Sequence, residues 1–192
     1  MNKKIFITIC MFMSVSVFVF AQETDQNEQM KIWMEYMTPG SFHQQMAKMA
    51  GEWTTESKMW MQPGADAVVA QGVSKLELLL GGRYLKTAHT GSYMGMPFEG
   101  FSLEAYDNAT NELYNIWVDN FGTGMMILKG KYDAVTKTID YKGTMVDPVQ
   151  KKEVPVREVT KYIDDNNFVF EMYANGPDEK EFKTMEITFK RK

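Results

Sequence analysis

The feature that most constrains this chain is the change of hydrophobic period at Trp53. From Trp53 to Arg191, short runs alternate apolar and polar residues with period two. Such a period places successive side chains on opposite faces of a strand. The runs are separated by turn chemistry at Gln62-Pro63-Gly64-Ala65-Asp66, Gly81-Gly82, Gly95-Met96-Pro97, Asp107-Asn108-Ala109-Thr110-Asn111, Gly122-Thr123-Gly124, Asp133 to Lys137, Asp147 to Lys152, Asp164 to Asn167 and Gly176-Pro177-Asp178. These turns imply about ten strands at the roughly 8–12-residue spacing of all-β domains. Most of the connections are short, so sequence neighbours should pair antiparallel. No segment is long enough for a Greek-key crossover, and there is no βαβ alternation. The expected fold is therefore all-β: a single up-and-down antiparallel β-barrel of about ten strands over residues 51–192.

Residues 22–50 read differently. Gln22 to Gln29 is polar and is expected to be a flexible leader. Met30, Trp33, Met34 and Met37 then recur at helical spacing, and Thr38-Pro39-Gly40 breaks the run. A second short helix is expected to begin at Ser41, with Gln44 completing a capping box. Phe42, Met46 and Met49 form its apolar stripe, His43 lies off it on the solvated side, and Gly51 is the helix stop.

Residues 1–21 have the layout of a secretory signal. Lys3 and Lys4 precede an uncharged, mostly apolar run from Ile5 to Phe20, and Val19-Phe20-Ala21 forms a cleavage box. The run is shorter than the ~20 residues of a spanning helix. The expectation is cleavage before Gln22, export to the periplasm or beyond, and no stable membrane span afterwards. The only cysteine, Cys10, lies inside this segment. A mature chain would thus have no disulfide, thiolate metal site, cysteine nucleophile or cysteine-linked lipid. Loss of Lys3 and Lys4 takes the formal charge from −4 to −6. An acidic chain with no basic cluster is a poor partner for nucleic acid. Nothing in the sequence specifies an oligomeric state.

Strand parity locates the barrel's closing point. The first strand places Trp53, Thr55, Ser57, Met59 and Met61 on one face, and the last places Met185, Ile187, Phe189 and Arg191 on one face. If these strands pair, Trp53 and Arg191 point inward together at one end, as a cation–π pair. Gly51, Trp53 and Arg191 are accordingly expected to be structural.

A Gly-x-Trp on the first strand with an arginine near the end of the last resembles the lipocalin and calycin barrels. Longer phrases sharpen the likeness: Leu80-Gly81-Gly82-Arg83-Tyr84, Gly95-Met96-Pro97-Phe98-Glu99-Gly100, Tyr106-Asp107, Trp117-x-Asp119, Gly122-Thr123-Gly124, Arg157-Glu158, Glu171-Met172 and Lys183-Thr184-Met185-Glu186-Ile187. As a set, from about Gly51 to Lys192, they resemble the domain of unknown function 1579 family of bacterial proteins. The resemblance implies a calycin-like barrel and a bacterial source. It implies no activity.

Several chemistries are excluded. The sequence has no Gly-rich phosphate loop and no Gly-x-Ser-x-Gly elbow. With only His43 and His89, no three-histidine zinc site can form, and no cofactor is expected. The remaining polar residues lie on faces expected to point inward: Arg83 and His89 on the third strand, Asn115, Trp117 and Asp119 on the fifth, Arg157 on the eighth. Glu171 on the ninth shares a face with Val169 and Tyr173, opposite the more apolar face of Phe168, Phe170 and Met172. Two readings follow. One is a partly polar cavity for a small, mainly apolar molecule, walled by Met59, Trp117, Met125 and Tyr141 and oriented by Arg83, His89, Asp119 and Arg157. The other is a filled core satisfied by internal salt bridges such as Asp119 with Arg157. The paired thioethers Met59 with Met61 and Met94 with Met96 offer a Cu(I) alternative. A hydrolase- or isomerase-type activity would need an acid–base pair, for which His89 with Asp119 or Glu99 is the candidate. No complete catalytic constellation is present, so binding is the leading expectation.

Overall fold

The computed structural model describes residues 13–192, with side chains from Asp25 onward. The charged start of the expected signal and Cys10 lie outside the described residues. Helix α1 spans Met13–Met37. It runs without a break through the expected cleavage junction and through Gln22 to Gln29, so the flexible leader expected there is helical instead. This helix holds no Gly or Pro and is rich in Gln, Glu and Met, all good helix formers. The helix stops just before Thr38-Pro39, where the proline ring disfavours helical backbone in the residue ahead of it. Among the described residues, no helix is long and apolar enough to cross a membrane.

A separate unit begins at Pro39. Helix α2 covers Ser41–Met49. Gly40, not Ser41, is its N-cap, and the backbone N–H of Gly40 donates to His43 Nδ1 at 3.0 Å. The reciprocal contact expected of Gln44 is thus made by His43. His43 is also buried rather than solvated, its ring edge-on to Tyr106 at 5.7 Å. Phe42, Met46 and Met49 are buried as the apolar stripe requires.

Ten strands follow: β1 Gly51–Met59, β2 Val68–Leu79, β3 Tyr84–Tyr93, β4 Met96–Asp107, β5 Glu112–Asp119, β6 Met126–Asp133, β7 Thr138–Asp147, β8 Lys152–Asp164, β9 Asn167–Asn175 and β10 Glu181–Arg191. Each pairs antiparallel with its sequence neighbours, and β1 pairs with β10 to close the barrel. This is the up-and-down barrel that the period and turns predict. Three turns use one device. Asp107, Asp133 and Asp147 each accept backbone N–H bonds from the residues two and three positions on. The residue four positions on, Asn111, Lys137 or Lys151, takes a positive φ. Helix α2 stoppers the end at which β1 begins: Phe42 stacks on Tyr106 of β4 at 4.9 Å and meets Tyr132 of β6 at 5.1 Å.

The closing seam is built around two side chains in direct register, Trp53 and Arg191. The guanidinium carbon lies 4.3 Å from the indole ring centre. Trp53 is fully buried, and its Nε1–H donates to the Met49 carbonyl at 3.1 Å. Arg191 also donates to the carbonyls of Lys48 and Ala50 at the C-terminus of α2, and to Asp165 in the β8–β9 turn. A cation on the last carbonyls of a helix is favoured by the helix dipole. Gly51 makes the approach possible: its φ is +139°, and a Cβ there would sit 2.7 Å from Arg191 Nη1. We expect Trp53→Ala to cost about 3–5 kcal/mol and Gly51→Ala about 1–3 kcal/mol in urea denaturation. Arg191→Lys, unable to bridge indole and three carbonyls together, should destabilise nearly as much as Arg191→Ala. Equal stability of Arg191→Lys and wild type would contradict this account of the seam.

Candidate functional site

The register determines which residues face the barrel axis. Following the cross-strand partners of Trp53 around the wall, the inward residues include Ser74, Leu76, Leu85, His89, Glu104, Asn115, Trp117, Leu128, Tyr141, Glu158, Phe168, Met172, Met185 and Phe189. The interior is divided along its length. Towards α2 it is sealed: Trp53, Leu113, Leu128, Ile139 and Tyr141 are essentially inaccessible, and Phe168 stacks on Phe189 at 4.0 Å. Towards the other end, Met59, Trp117, Met126, Met145, Met172 and Met185 face inward yet remain only half-buried. Met59, Met185 and Met172 are successive partners across β1, β10 and β9. Beside this open half, β8 and β9 part: their pairing stops at Val156 and Ala174, while Lys152 to Pro155 pairs only with β7. A cleft of about 310 Å³ lies there, lined by Gly143, Val156 and Ala174 with Lys142, Arg157 and Glu181.

Two aromatic side chains reach across the interior over glycines. Tyr141 lies over its register partner Gly130, where a Cβ would come within 2.6 Å of the ring. This lets the Tyr141 hydroxyl reach from β7 to Glu104 on β4, donating to Oε2 at 2.5 Å. Trp117 lies over Gly100, where a Cβ would meet the ring at 2.8 Å, and approaches His89 on β3 at 5.3 Å between ring centres.

The Tyr141 crosspiece forms the floor of the open half, and that floor is acidic. Asn115, opposite Glu104 across β4–β5, donates from Nδ2 to Glu158 Oε2 at 3.1 Å. Glu158 is the cross-strand partner of both Tyr141 and Met172. Burial pushes the Glu104 carboxyl up to about 7, against a smaller opposing effect of the Tyr141 hydrogen bond. Burial likewise raises Glu158 to about 7, against the Asn115 bond. The Tyr141 phenol is held well above its ordinary value by burial and then by Glu104. Glu104 Oε1 and Asn115 Oδ1 are buried with no hydrogen-bond partner. Two cross-strand neighbours thus each present an unused acceptor. Among the described residues, no group of three or more His, Cys, Asp or Glu side chains is placed to hold a metal.

The residues singled out from the sequence fall unevenly around this site. Trp117, His89, Asp119 and Tyr141 do face inward. His89 and Asp119 do not form an acid–base pair, however. His89 Nδ1 shares a 2.7 Å hydrogen bond with Ser74, and burial lowers the imidazole to about 4. Asp119 accepts from Trp117 Nε1 at 2.7 Å and from the backbone N–H groups of Phe121 and Gly122. Glu99 lies on the outer face, exposed. Arg157 is a correction: it points outward, stacks on Tyr173 at 4.0 Å and is held bidentately by Glu181, so the expected Asp119–Arg157 bridge does not form. Its inward neighbours are Val156 and Glu158. Arg83 is a second correction, since it sits exposed in the β2–β3 turn with Nη1 donating to the Leu80 carbonyl. Met125 is a third: it is exposed in the loop ahead of β6, and Met126 forms the wall instead. Glu171 is on the outer face, buried beneath Lys161 and Lys183. Met61, Met94 and Met96 are exposed, apart from the inward-facing Met59.

Glu104 and Glu158 were not foreseen, although a signal existed. The Asp147–Lys152 turn sets a hairpin register that places residue 158 opposite Tyr141. The Asp107–Glu112 turn likewise places residue 104 opposite Asn115.

These features define a class: a closed ten-stranded up-and-down barrel, stoppered at one end by its own helix, with an interior sealed in one half and accessible in the other. Within it, the chain belongs to the DUF1579 family, described as a protein of unknown function, whose model matches residues 38–191. Among solved structures, the crystal structure of Rv2717c from M. tuberculosis is similar, with a TM-score of 0.61 and 12% identity over 81% of this chain and 99% of that one. At that identity the likeness shows the fold alone. A redesigned β-barrel matches more weakly, with a TM-score of 0.39 and 12% identity over 77% of this chain and 94% of that one. No curated protein matches the sequence.

The buried carboxyls predict a pH dependence of stability. Both are raised in the folded state to about 7, against 4.5 for the ordinary group. Their contribution is fully present below the unfolded value and is lost as pH rises through 7, by about 3 kcal/mol per carboxyl. His89, depressed in the fold, works in the opposite sense and loses stability as pH falls from 6.5 towards 4. Urea midpoints should therefore fall as pH rises from about 5 to about 7.5, with His89 offsetting part of the fall below 6.5, and level off above that. Glu104→Gln and Glu158→Gln should each flatten that fall and raise stability at pH 8. A slope unchanged in both variants would contradict the assignment.

Proposed function

We propose that this protein binds a small, mainly apolar molecule in the open half of its barrel. The observation that carries the reading is the half-burial of Met59, Trp117, Met126, Met172 and Met185, which all face the axis. In a packed interior, such residues would be as inaccessible as Leu128 and Ile139 are. Methionine is unbranched and polarisable, so a wall of thioethers adapts to apolar shapes. The rim continues the same chemistry, with Met61, Met94, Met96, Phe121 and Met125 exposed. The 310 Å³ cleft beside β8 and β9 is a separate feature, lined largely by the outer-face residues Lys142, Arg157, Tyr173 and Glu181. The sealed half supplies the rigid base. The signal-like first 21 residues suit a carrier or sensor working outside the cytoplasm. Nothing in the interior pairs an acid with a base as a catalyst requires, so binding rather than turnover is the reading.

The neutral fluorophore N-phenyl-1-naphthylamine tests it. One molecule should bind per chain with enhanced emission, and it should quench Trp117. Met172→Trp, which fills the chamber, should weaken binding by at least ~10-fold, whereas Val149→Ser on the exposed β7–β8 turn should leave it unchanged. Absence of binding, or binding indifferent to Met172→Trp, would reject the chamber.

A further inference from the structure

The chamber floor indicates what the polar end of such a molecule must be, and the argument rests on the chamber reading above. The Tyr141 hydroxyl is committed to Glu104, and one N–H of the Asn115 amide to Glu158. The two atoms left without any partner are both acceptors. Glu104 Oε1 and Asn115 Oδ1 are buried and unpartnered on directly opposed residues of β4 and β5. A buried polar atom left without a partner is destabilising, so two on opposed residues mark a position where a donor belongs.

We propose that this donor is the ammonium group of an aliphatic amine, whose tail lies along the methionine wall and whose head is received by Glu104 and Asn115. An ammonium has three N–H donors and no acceptor, which suits a floor whose two unpartnered atoms are acceptors. A hydroxyl brings one donor and leaves an acceptor unsatisfied. A carboxylate brings none and would face two carboxyls. Glu158 supplies the second negative charge, next to Tyr141 and Met172 in the register. Binding a cation would draw the floor carboxyls into their ionised form, because an adjacent positive charge favours it. Both carboxyls are held near 7 by burial alone, so at pH 7 they release protons as the amine enters.

The test is isothermal titration of the full chain at pH 7.0 with three probes of one chain length: n-octylamine, 1-octanol and octanoate. Octylamine should bind at least ~10-fold more tightly than 1-octanol, with octanoate weakest. Repeating the amine titration in buffers of different ionisation enthalpy should show protons released from the protein. Glu104→Gln should weaken octylamine by at least ~10-fold while leaving 1-octanol within ~2-fold. Removing a desolvated carboxyl should not unfold the barrel, and a thermal melt verifies this. Glu158→Gln is the second variant, with the same expected sign. Octanoate binding as well as octylamine, or an equal loss of amine and alcohol in both variants, would overturn the amine inference and leave the chamber standing. Failure of all three probes and of the naphthylamine fluorophore would overturn both.

Discussion

The contact on which the rest of this structure depends is Arg191 on Trp53. An open ten-stranded sheet would expose two long unpaired edges, and closure removes them. Closure here is local in space but remote in sequence, joining the first strand to the last. The indole fills the closed end and the guanidinium covers it. The same guanidinium grips the last carbonyls of α2 and the β8–β9 turn. One side chain thus ties together the seam, the stopper and a neighbouring turn. Gly51 has the backbone conformation and the missing Cβ that leave room for it.

With one end sealed in this way, the interior need not be uniform. A ten-stranded barrel encloses more space than a ring of ordinary side chains fills. Large aromatics fill the half nearest α2. Beyond them, Tyr141 crosses over Gly130 and Trp117 crosses over Gly100, each reaching a strand that its own strand does not pair with. These crosspieces divide a dry base from a half walled by partly exposed methionines. Two carboxyls are retained at the boundary although burial disfavours their charge.

The fold was legible because its signals are local. Turn residues at regular spacing and a period of two depend on neighbours a few positions apart. Parity was also readable on the first, third, fifth and last strands, most clearly on the first and last, whose outer faces carry Glu52, Glu56 and Lys58, and Glu186 and Lys190. It failed on the eighth for an instructive reason. There the inner face carries Glu158 and Thr160, while Val159 and Ile163 face outward. The buried carboxyl itself inverted the pattern used to assign the face. On the fourth strand, inward Glu104 and Ser102 stand against outward Phe101 and Leu103 in the same way. Hairpin register carries that information independently of hydrophobicity, and it assigns both residues correctly. His43 was misjudged because its partners, Gly40 and Tyr106, are visible only after folding. Met125 missed the wall by one position because the strand begins at Met126.

The central claim is that one barrel holds a dry half and an accessible apolar half. Methyl NMR of the protein labelled at methionine Cε, with dissolved oxygen as a small apolar paramagnetic probe, reads both halves in one spectrum. The division predicts strong relaxation enhancement at Met126, Met172 and Met185, with Met46 and Met49 under the stopper barely affected. Protection of Met172 and Met185 equal to that of Met46 would mean a filled interior, and would contradict the account.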